Sequence, residues 1–489
     1  MLSEFSALPF PVVGDGENRP LDLIEKIRAR TAKIGILGLG YVGLPLAAEF
    51  AKYFETFGLD IDEARVHALV AGRSYIGDVP TELVAALVES AALIPTADFS
   101  VLAECDCIII CVPTPLEAGK QPDISYIVSA AQAIAKTLRP GQLIVLESTT
   151  YPGTTEETLL PMFLDRGLLL DEDFLLAFSP ERVDPGNADF KIADIPKIVG
   201  GCSELSTRAA GELYRTIVPF VHPVSSPRVA ETAKLWENTF RAVNIALANE
   251  MALLCYHLGI DTTEVIAAAA TKPFGFMPFY PGPGVGGHCI PLDPHYLSWT
   301  ASKYGYYPRF IMLADEINSE MTGHVIELVG DALNDDGIAM RGAHVLVLGV
   351  SYKADVEDIR MSPAIPIIER LRAKGCVVEY HDPFVSRIQV EEAELPPSRR
   401  RDLRAVAVER RQHLARDLAG FVSTGRRCSD PLESSPLTDA QLEEADCVLV
   451  LTAHSCIDYA RIARIARLVV DTRHTVPKVE GKGARLVAL

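Results

Sequence analysis

Residues 33–62 read KIGILGLGYVGLPLAAEFAKYFETFGLDID and give the clearest indication of the fold. A short apolar strand is followed by a glycine-rich turn, an amphipathic helix and a second strand. Gly38, Gly40 and Gly43 form the pattern GxGxxG, and Asp60 ends the second strand. In a dinucleotide-binding unit the glycines allow a tight turn, the approach of a pyrophosphate and close packing of helix on strand, while the acid binds the ribose hydroxyls. The spacing predicts a Rossmann unit, and a glycine turn that binds nothing is the alternative.

The acidic residues after the second strand predict NAD as the cofactor. Carboxylates at Asp60 and Asp62 would repel the 2′-phosphate of NADP, although the nearby Arg65 weakens this preference. The predicted cofactor-binding residues are Gly38, Gly40, Tyr41, Val42, Gly43, Asp60, Arg65, Thr114 and Thr149.

Further apolar strands that end in polar residues predict an α/β sheet. They lie within segments 106–115, 142–156 and 175–187. Their polar ends contain Thr114, Ser148, Thr149 and Glu181. Ligands gather at the carboxyl ends of strands in a doubly wound sheet, so these residues are candidates for lining one cleft. Each alone could be an ordinary turn residue, which is the favoured interpretation for Ser148.

The loop PGPGVGGHCIPLDPHYLSW, residues 281–299, places Cys289 among glycines and prolines. Glycine lets backbone approach a ligand and proline stiffens the segment, so the loop is expected to have a fixed shape. His288 is next to the cysteine and Asp293 follows it by four residues. These groups could tune a thiol or transfer protons. A structural turn with a buried cysteine is the alternative.

A long helix is predicted from Arg228 to about Tyr256. Its polar residues recur at spacings of three and four and therefore share one face. They are Glu231, Lys234, Asn238 and Arg241. A solvated face is the usual interpretation, but the rest of the helix is apolar, and we therefore expect this face to line a water-filled cavity with Lys234 and Asn238 side by side.

The C-terminal part repeats the α/β pattern without the glycine pattern. A helix is predicted at 307–335, strands at 344–350 and 376–380, and two further apolar strands follow, the last ending in Arg473. The turn after the first strand contains Lys353, Asp355, Asp358, Arg360 and Ser362. Charge at a strand end indicates a polar ligand, with a self-paired solvated turn as the alternative.

Composition limits the class of protein. The chain has 489 residues and a net charge of −19, so it is expected to form about three domains and not to bind nucleic acid. It lacks a run of about 18 apolar residues, and no membrane span or secretion signal is predicted, which favours a cytoplasmic protein. The ten cysteines show no paired metal-ligand spacing, so no metal is expected. The basic stretch within 391–438 could be a solvent-facing helix with a loop, or an insertion.

The chain resembles the nucleotide-sugar 6-dehydrogenases of the UDP-glucose/GDP-mannose type. The resemblance rests on GLGYVGLP, CVPTP, ESTTYPGTTE, SPERVDPGN, AETAKLWENTFR, GGHCIPLDP and GVSYKADVEDIRMSP, which occur in the family order. The cysteine loop and SPERVDPGN are similar to the bacterial branch that acts on UDP-N-acetylhexosamines, with UDP-N-acetylglucosamine as the favoured substrate. Leu292 stands where the UDP-glucose branch commonly has lysine. The N-acetylmannosamine and N-acetylgalactosamine epimers and UDP-glucose remain alternatives.

The resemblance implies a four-electron oxidation of the sugar C6 hydroxyl, for polysaccharide biosynthesis, through a thiohemiacetal and a thioester on Cys289. Lys234 is implied as the oxyanion donor with Asn238 beside it, Asp293 as the group that holds water, and Glu181 as the acid-base residue. The implied substrate-binding residues are Arg182, Val183, Arg241, Gly286, Lys353 and Arg473.

The expected fold is α/β, with two Rossmann-like doubly wound domains joined by a central long-helix segment. The predicted domains are an N-terminal arm (1–30), an NAD-binding domain (31–222), a central dimerisation segment with the cysteine loop (223–335) and a UDP-sugar-binding domain (336–489). The cleft between the two α/β domains is expected to hold both ligands, and the family implies a homodimer or a higher homo-oligomer. A two-electron hydroxyacid-type dehydrogenase, which would not need Cys289, and a non-enzymatic NAD sensor or scaffold are the alternatives.

Overall fold

The computed structural model describes most of the chain and divides it into two compact units. The described residues are 19–116, 121–182, 194–390, 431–479 and 483–489. The N-terminal unit runs to Glu237 and includes His295–Tyr304, and the C-terminal unit contains Asn238–Pro294 and Gly305–Leu489. Residues 1–18, the candidate Val183 and the basic stretch up to residue 430 lie outside the described residues.

An eight-stranded sheet forms the centre of the N-terminal unit. Its strands are β1 (Ile34–Leu37), β2 (Thr56–Leu59), β3 (Leu93–Thr96), β4 (Cys107–Ile110), β5 (Gln142–Leu146), β6 (Phe174–Phe178), β7 (Lys197–Gly201) and β8 (Val221–Pro223). The spatial order is β3-β2-β1-β4-β5-β6-β7-β8. The first six strands are parallel and follow the 3-2-1-4-5-6 order of the Rossmann fold, which confirms the prediction for this unit. Strand β7 runs antiparallel to β6, and this reversal was not predicted.

Helices of the N-terminal unit connect these strands. They are α1 (Arg19–Ala29), α2 (Gly43–Ala51), α3 (Glu63–Val70), α4 (Thr81–Glu89), α5 (Ser125–Thr137), α6 (Leu160–Leu164) and α7 (Glu204–Tyr214), with a 3-10 turn at Phe99–Ala103 and a π-helical turn at Thr155–Leu159. Every residue of β1, β2, β4, β5 and β6 is buried. Burial on both faces explains why these strands are continuous apolar runs and not alternating ones.

Helix α1 belongs to the core of the N-terminal unit. Leu23, Ile24 and Ile27 are buried in the same apolar cluster as β1 and α7. Lys26 Nζ lies 2.9 Å from Asp106 Oδ1, and Arg28 Nε lies 3.0 Å from a carboxylate of α7. Leucines and isoleucines at helical spacing are typical of such a helix, but the partner that covers its apolar face could not be identified from local sequence.

The C-terminal unit contains a second parallel sheet. Its strands are β9 (His344–Leu348), β10 (Val377–His381), β13 (Cys447–Val450), β14 (Leu468–Asp471) and β15 (Arg485–Ala488), and β11 (Arg387–Ile388) pairs separately with β12 (Leu432–Glu433). The order β10-β9-β13-β14-β15 corresponds to 2-1-3-4-5, the other common doubly wound arrangement. The predicted second doubly wound sheet is therefore confirmed, and its strand order reverses between β9 and β13.

The remaining helices follow β8 along the chain or flank the second sheet. They are α8 (Pro227–Leu258), α9 (Thr262–Ala270), α10 (Asp293–Lys303), α11 (Arg309–Asp335), α12 (Ala364–Lys374), α13 (Asp439–Glu444) and α14 (Tyr459–Ile465). The long helices α8 and α11 confirm the central long-helix segment. No helix among the described residues has both the length and the apolar character needed to cross a lipid bilayer.

The polar face of α8 differs from the predicted water-lined surface at its first member. Glu231 is fully buried, and its carboxylate accepts hydrogen bonds from the backbone N–H groups of Gly153 and Thr155 and from the Thr155 hydroxyl. Burial raises the pKa of Glu231, and these donors oppose that shift. The prediction was wrong at this position because helical spacing shows which residues share a face but does not show what covers that face.

Gly349, at the carboxyl end of β9, should be important for stability. It has φ +81°, and a Cβ added there would lie 2.5 Å from the Thr452 carbonyl oxygen. Gly342 has φ +85° with no atom within 4 Å of a Cβ and is the matched control. Either alanine substitution costs about 1–2 kcal/mol for positive φ. Only Gly349→Ala adds steric overlap, worth about 1–3 kcal/mol. We expect Gly349→Ala to lower the thermal unfolding midpoint more than Gly342→Ala does. Equal midpoints for the two variants would contradict steric overlap at Gly349.

Candidate active site

The glycine turn after β1 has the shape that a dinucleotide needs. Gly38 has φ +90°, and a Cβ there would lie 2.5 Å from the Cys111 carbonyl oxygen. A Cβ at Gly43 would lie 1.7 Å from the Gly38 carbonyl oxygen, whereas one at Gly40 would meet nothing within 4 Å. The first and third glycines are therefore required for packing, and the second leaves open space over the backbone. This arrangement fits the pyrophosphate of a dinucleotide.

The acid at the end of β2 is held in a fixed position by backbone hydrogen bonds. Asp60 is buried, and its two carboxylate oxygens accept the backbone N–H groups of Leu39 and Asp62, each at 2.9 Å. Arg65 Nη1 lies 3.3 Å from Asp60, and Arg65 Nε lies 3.5 Å from Asp62. Because two carboxylates engage this arginine, the local charge favours a ribose hydroxyl over a 2′-phosphate.

The other predicted cofactor residues surround the same strand ends. Tyr41 is half exposed, and Val42 is partly buried and packs against the apolar core of the N-terminal unit. Thr114 and Thr149 are partly buried, and the Thr114 carbonyl accepts the hydroxyl of Tyr296 at 2.7 Å. The Ser148 hydroxyl donates to the carbonyls of Ile110 and Val112. Ser148 therefore fastens β5 to β4, in agreement with its favoured interpretation as a strand-end residue.

Glu181 belongs to a buried ionic cluster that was not predicted. Its Oε1 accepts the Arg182 backbone N–H at 2.7 Å, and its Oε2 lies 3.2 Å from Lys197 Nζ. The same ammonium lies 3.0 Å from Glu147 Oε1, which also accepts the Tyr214 hydroxyl. Glu147 follows β5 directly and Lys197 begins β7. The alternation of strands and helices in the sequence indicates that both residues lie at an edge of the sheet. It does not indicate that they are in contact.

The Arg182 side chain is engaged within the N-terminal unit. Its guanidinium donates to both carboxylate oxygens of Glu237, at 3.1 and 2.6 Å, and to the Pro196 carbonyl at 2.7 Å. The role of Arg182 in substrate binding stays a prediction, and a substrate would have to compete with Glu237 for the guanidinium.

The cysteine loop is fixed to its own unit at several points. The Gly282 N–H donates to Asn249 Oδ1 at 2.9 Å, and Asn249 Nδ2 donates to Asn318 Oδ1 at 2.9 Å. A Cβ at Gly286 would lie 2.8 Å from the Tyr352 Cβ, and Gly287 has φ +86°. Gly286 is thus required for packing against the turn after β9. The Asn249 anchor was missed because a buried asparagine within an apolar helix gives no loop-specific signal.

Cys289 lies at the start of a hydrogen-bonded turn that leads into α10. The Asp293 N–H donates to the Cys289 carbonyl at 2.8 Å, and Asp293 Oδ2 accepts the Asn238 amide at 2.5 Å. Asp293 is 2% exposed, whereas Cys289 is partly exposed. The structure therefore brings together three of the five predicted catalytic residues within the C-terminal unit.

The remaining cysteines differ from Cys289 in their surroundings. Six of the nine described cysteines are buried, and burial raises the pKa of the Cys105, Cys107, Cys111 and Cys447 thiols. The pKa of partly buried Cys202 is also raised, to about 12, first by burial. Only Cys456 among the described cysteines is exposed, and Cys428 lies outside the described residues.

Lys234 lies one helical turn before Asn238 on α8, so both side chains project from the same face. It is 8% exposed and forms no ion pair with any described residue. A buried ammonium without a carboxylate partner is uncommon, since desolvation of the charge is costly. An anionic or oxyanionic group of a ligand would supply that partner. Arg241, also on α8, is exposed.

Two predicted substrate residues lie at the carboxyl edge of the second sheet. Lys353 is partly buried in the turn after β9. Arg473 follows β14, its Nε donates to the Leu451 carbonyl at 2.8 Å, and burial, only partly offset by Asp471, lowers its pKa to about 10. Neither Nη group donates to a described residue. A Cβ at Gly282 would lie 2.6 Å from Arg473 Nη1, so this loop glycine leaves room for the guanidinium.

A buried histidine fixes the turn that carries Lys353. His454 Nδ1 accepts the Asp355 N–H at 3.0 Å, and its Nε2 lies 3.1 Å from Asp382 Oδ2. Because Nδ1 accepts, Nε2 carries the proton and donates to the carboxylate. Asp355 has φ +61°, so the histidine holds a turn of unusual conformation. His454 was missed because its partners are about 100 and 70 residues away.

The chain matches the UDP-glucose/GDP-mannose dehydrogenase family over three segments. Residues 32–218 match the NAD binding domain, 228–320 the central domain and 346–478 the UDP binding domain. UDP-N-acetyl-D-glucosamine 6-dehydrogenase of Pseudomonas aeruginosa is 40% identical over 72% of this chain and 83% of the relative. NDP-N-acetyl-D-galactosaminuronic acid dehydrogenase of Ralstonia nicotianae is 36% identical over 69% of this chain and 79% of the relative. The structure of UDP-D-ManNAc dehydrogenase from Pyrococcus horikoshii has a TM-score of 0.77 and 30% identity, covering 93% of this chain and 98% of that one.

The glycine turn yields a prediction that separates binding from folding. Gly40→Ala should leave the thermal unfolding midpoint unchanged, because its Cβ meets nothing within 4 Å. It should weaken NADH binding roughly 10- to 100-fold, the equivalent of losing one hydrogen bond to a charged group. NADH fluorescence titration measures the affinity.

Two further variants act as controls for Gly40→Ala. Gly77→Ala also adds a Cβ in open space and should change neither property, whereas Gly43→Ala should lower both affinity and stability. Unchanged affinity in Gly40→Ala would exclude close approach of the dinucleotide at this glycine.

Proposed function

The chain belongs to the UDP-glucose/GDP-mannose dehydrogenase family, and on that premise we propose that it oxidises the C6 hydroxyl of a UDP-N-acetylhexosamine to a carboxylate. It is an NAD-dependent oxidoreductase that acts on a nucleotide sugar. The proposed preferred sugar is UDP-N-acetylglucosamine. Relatives named for that substrate are 40% and 38% identical to the chain. The N-acetylmannosamine and N-acetylgalactosamine relatives, at 37% and 36%, make the epimers the nearest competitors.

The observation that carries the proposed mechanism is the link from Cys289 through Asp293 to Asn238. Cys289 is partly exposed, the backbone N–H of Asp293 donates to the Cys289 carbonyl, and the buried Asp293 carboxylate accepts the Asn238 amide of α8. A fixed acid beside a cysteine can orient water for attack on a thioester. A two-electron alcohol oxidation would use neither group, so this link supports a four-electron oxidation.

The chemistry assigned to the chain begins at the thiol. NAD+, held by the glycine turn and Asp60, supplies hydride acceptance in each of two successive oxidations. Cys289 Sγ adds to the C6 aldehyde to form a thiohemiacetal, which becomes a thioester after the second oxidation. Lys234 and Asn238 donate to the oxyanion, and Asp293 holds the water. Attack by water forms the C–O bond and breaks the C–S bond, the electron pair returns to Sγ, and Glu181 accepts the proton that the water loses.

The nucleotide part of the substrate is assigned to the carboxyl edge of the second sheet. Arg473 presents two Nη groups with no described partner, and an anion would oppose the lowering of its pKa. Lys353 lies in the turn held by His454. We assign diphosphate contacts to both side chains. Arg182, Val183, Arg241 and Gly286 are assigned to the sugar and its surroundings on the family resemblance alone.

The central segment is proposed to form a homodimer. Five apolar residues of α8 share one face and are 40–61% exposed, namely Phe240, Leu247, Met251, Leu254 and Leu258. Helix α11 adds Phe310, which is 77% exposed. A continuous apolar stripe of this length is typical of a protein interface. The segments 31–222, 223–335 and 336–489 would then serve NAD binding, dimerisation and UDP-sugar binding.

The proposed reaction predicts the amount of NADH produced from each sugar. Purified protein and NAD+ should give two NADH per UDP-N-acetylglucosamine, with less activity on its epimers and little on UDP-glucose, measured by absorbance and by the sugar consumed. Cys289→Ser should abolish this stoichiometry, and Cys456→Ser is the matched exposed-thiol control that should keep it. One NADH per sugar would contradict the thioester, and a faster epimer would reassign the substrate.

The proposed dimer predicts how charge on the α8 stripe changes the solution mass. Leu247→Asp combined with Leu254→Asp should convert a dimer into single chains in light scattering, because each places a carboxylate in an apolar interface. Val70→Asp alters an equally exposed residue of α3 and should leave the dimer intact. A wild-type protein with the mass of one chain would exclude the homodimer.

A further inference from the structure

The ionic cluster around Lys197 contains one cation and two carboxylates in a nearly dry environment. Lys197 and Glu147 have side chains that are 8% and 0% exposed, and that of Glu181 is 15% exposed. Lys197 Nζ lies 3.0 Å from Glu147 and 3.2 Å from Glu181. The cluster therefore joins a fully buried acid to the acid that the family resemblance identifies as an acid-base group.

Each member of the cluster comes from a different element of the N-terminal unit. Glu147 follows β5, Glu181 follows β6, Lys197 begins antiparallel β7, and Tyr214 ends α7. The Lys197 N–H donates to the Phe220 carbonyl at 2.9 Å, which fixes the start of the strand. The Lys197 ammonium also lies 5.1 Å from the centroid of the Tyr214 ring. These contacts leave the lysine side chain little freedom.

Lys197 is one of the groups that hold the Glu181 carboxylate. One carboxylate oxygen of Glu181 accepts the Arg182 backbone N–H, and Lys197 Nζ contacts the other oxygen. Contacts at both oxygens restrict rotation of a carboxylate about its last bond. The contact with Glu181 also stabilises the charged form of Lys197, whose pKa it raises.

We infer that Lys197 is a positioning residue for Glu181 in thioester hydrolysis, and that buried Glu147 and Tyr214 anchor the lysine. This inference rests on the proposed function, in which Glu181 assists hydrolysis of the Cys289 thioester. During that step water forms a C–O bond to the acyl carbon, the C–S bond breaks with its electron pair on Sγ, and one water proton is accepted by a carboxylate. Lys197 holds Glu181 in an orientation to accept that proton.

Electrostatics supports the assignment of distinct roles to the two acids. Burial raises the pKa of Glu147 to about 7, although Lys197 opposes the shift. Burial alone would lower the pKa of Lys197, but Glu147 and Glu181 outweigh it and raise that pKa. The other titratable groups that face Glu147 are Tyr214 and Cys111, and burial raises the pKa of each, which keeps them neutral.

The test uses wild-type enzyme, Lys197→Met and the double variant Glu147→Gln with Lys197→Met. The single variant leaves a buried carboxylate without its cation and could unfold for that reason alone. The double variant removes both charges, and its thermal unfolding midpoint should return close to the wild-type value. Its steady-state kcat should nevertheless fall about 100-fold, the contribution typical of a positioned acid-base group, while the KM for NAD+ changes less than about twofold.

Rapid mixing shows which step is slowed. Both oxidations precede hydrolysis, so the double variant should release a burst of two NADH per active site followed by a slow phase. Intact-mass measurement should detect the acyl group retained on the enzyme. Lys197→Arg, which keeps a cation, should recover part of kcat. Lys33 also bridges two glutamates, at 3.0 and 3.3 Å, but at the surface, and Lys33→Met is the control that should leave all these values unchanged.

The outcomes separate this inference from the proposed function. A stable double variant with wild-type kcat, or one that loses kcat without a burst, would overturn the role of Lys197 in hydrolysis. A wild-type enzyme that forms no NADH from any UDP-sugar would refute the proposed function instead. A burst of two NADH with accumulated acyl-enzyme in the double variant, and full turnover in Lys33→Met, would support the inference.

Discussion

The backbone at the carboxyl edge of both sheets requires a glycine with positive φ, because a neighbouring segment of backbone lies too close for a Cβ. At the end of β1 the chain turns at Gly38, where a Cβ would lie 2.5 Å from the carbonyl oxygen of Cys111, just beyond β4. At the end of β9 it turns at Gly349, where a Cβ would lie 2.5 Å from the carbonyl oxygen of Thr452, just beyond β13. Both glycines have positive φ. Each turn lies where the strand order reverses, and the predicted cofactor and nucleotide residues depend on these two close approaches.

Much of this arrangement could be predicted from local sequence. The spacing of the glycines at Gly38–Gly43 is typical of a dinucleotide-binding turn. The continuous apolar runs of both sheets indicate parallel strands that are buried on both faces. The cysteine loop could be recognised by its glycines and prolines. Contacts between distant elements could not be predicted in this way. Asn249 anchors the loop, Glu231 is buried against Gly153, and His454 holds the turn after β9, yet each resembles an ordinary residue of its own segment.

Strand β7 shows why the ionic cluster escaped prediction. Its residues, KIVGG, are too few to indicate direction, and antiparallel pairing with β6 is a property of the assembled sheet. That direction places Lys197 at the edge where β5 and β6 end. An acidic chain can still bind an anionic ligand, because its net charge of −19 says little about single cations such as buried Lys234 and partly buried Arg473.

The burial of most cysteines also determines how the chain would respond to thiol-directed compounds. The thiols inside the sheets are shielded from reagents and hold their protons, so they would react slowly with electrophiles. Partly exposed Cys289 escapes this protection, and exposed Cys456 does so as well. A covalent label could therefore be directed to the loop by fitting it to the surrounding glycines, and mild oxidation would modify Cys289 and Cys456 well before it damaged the core.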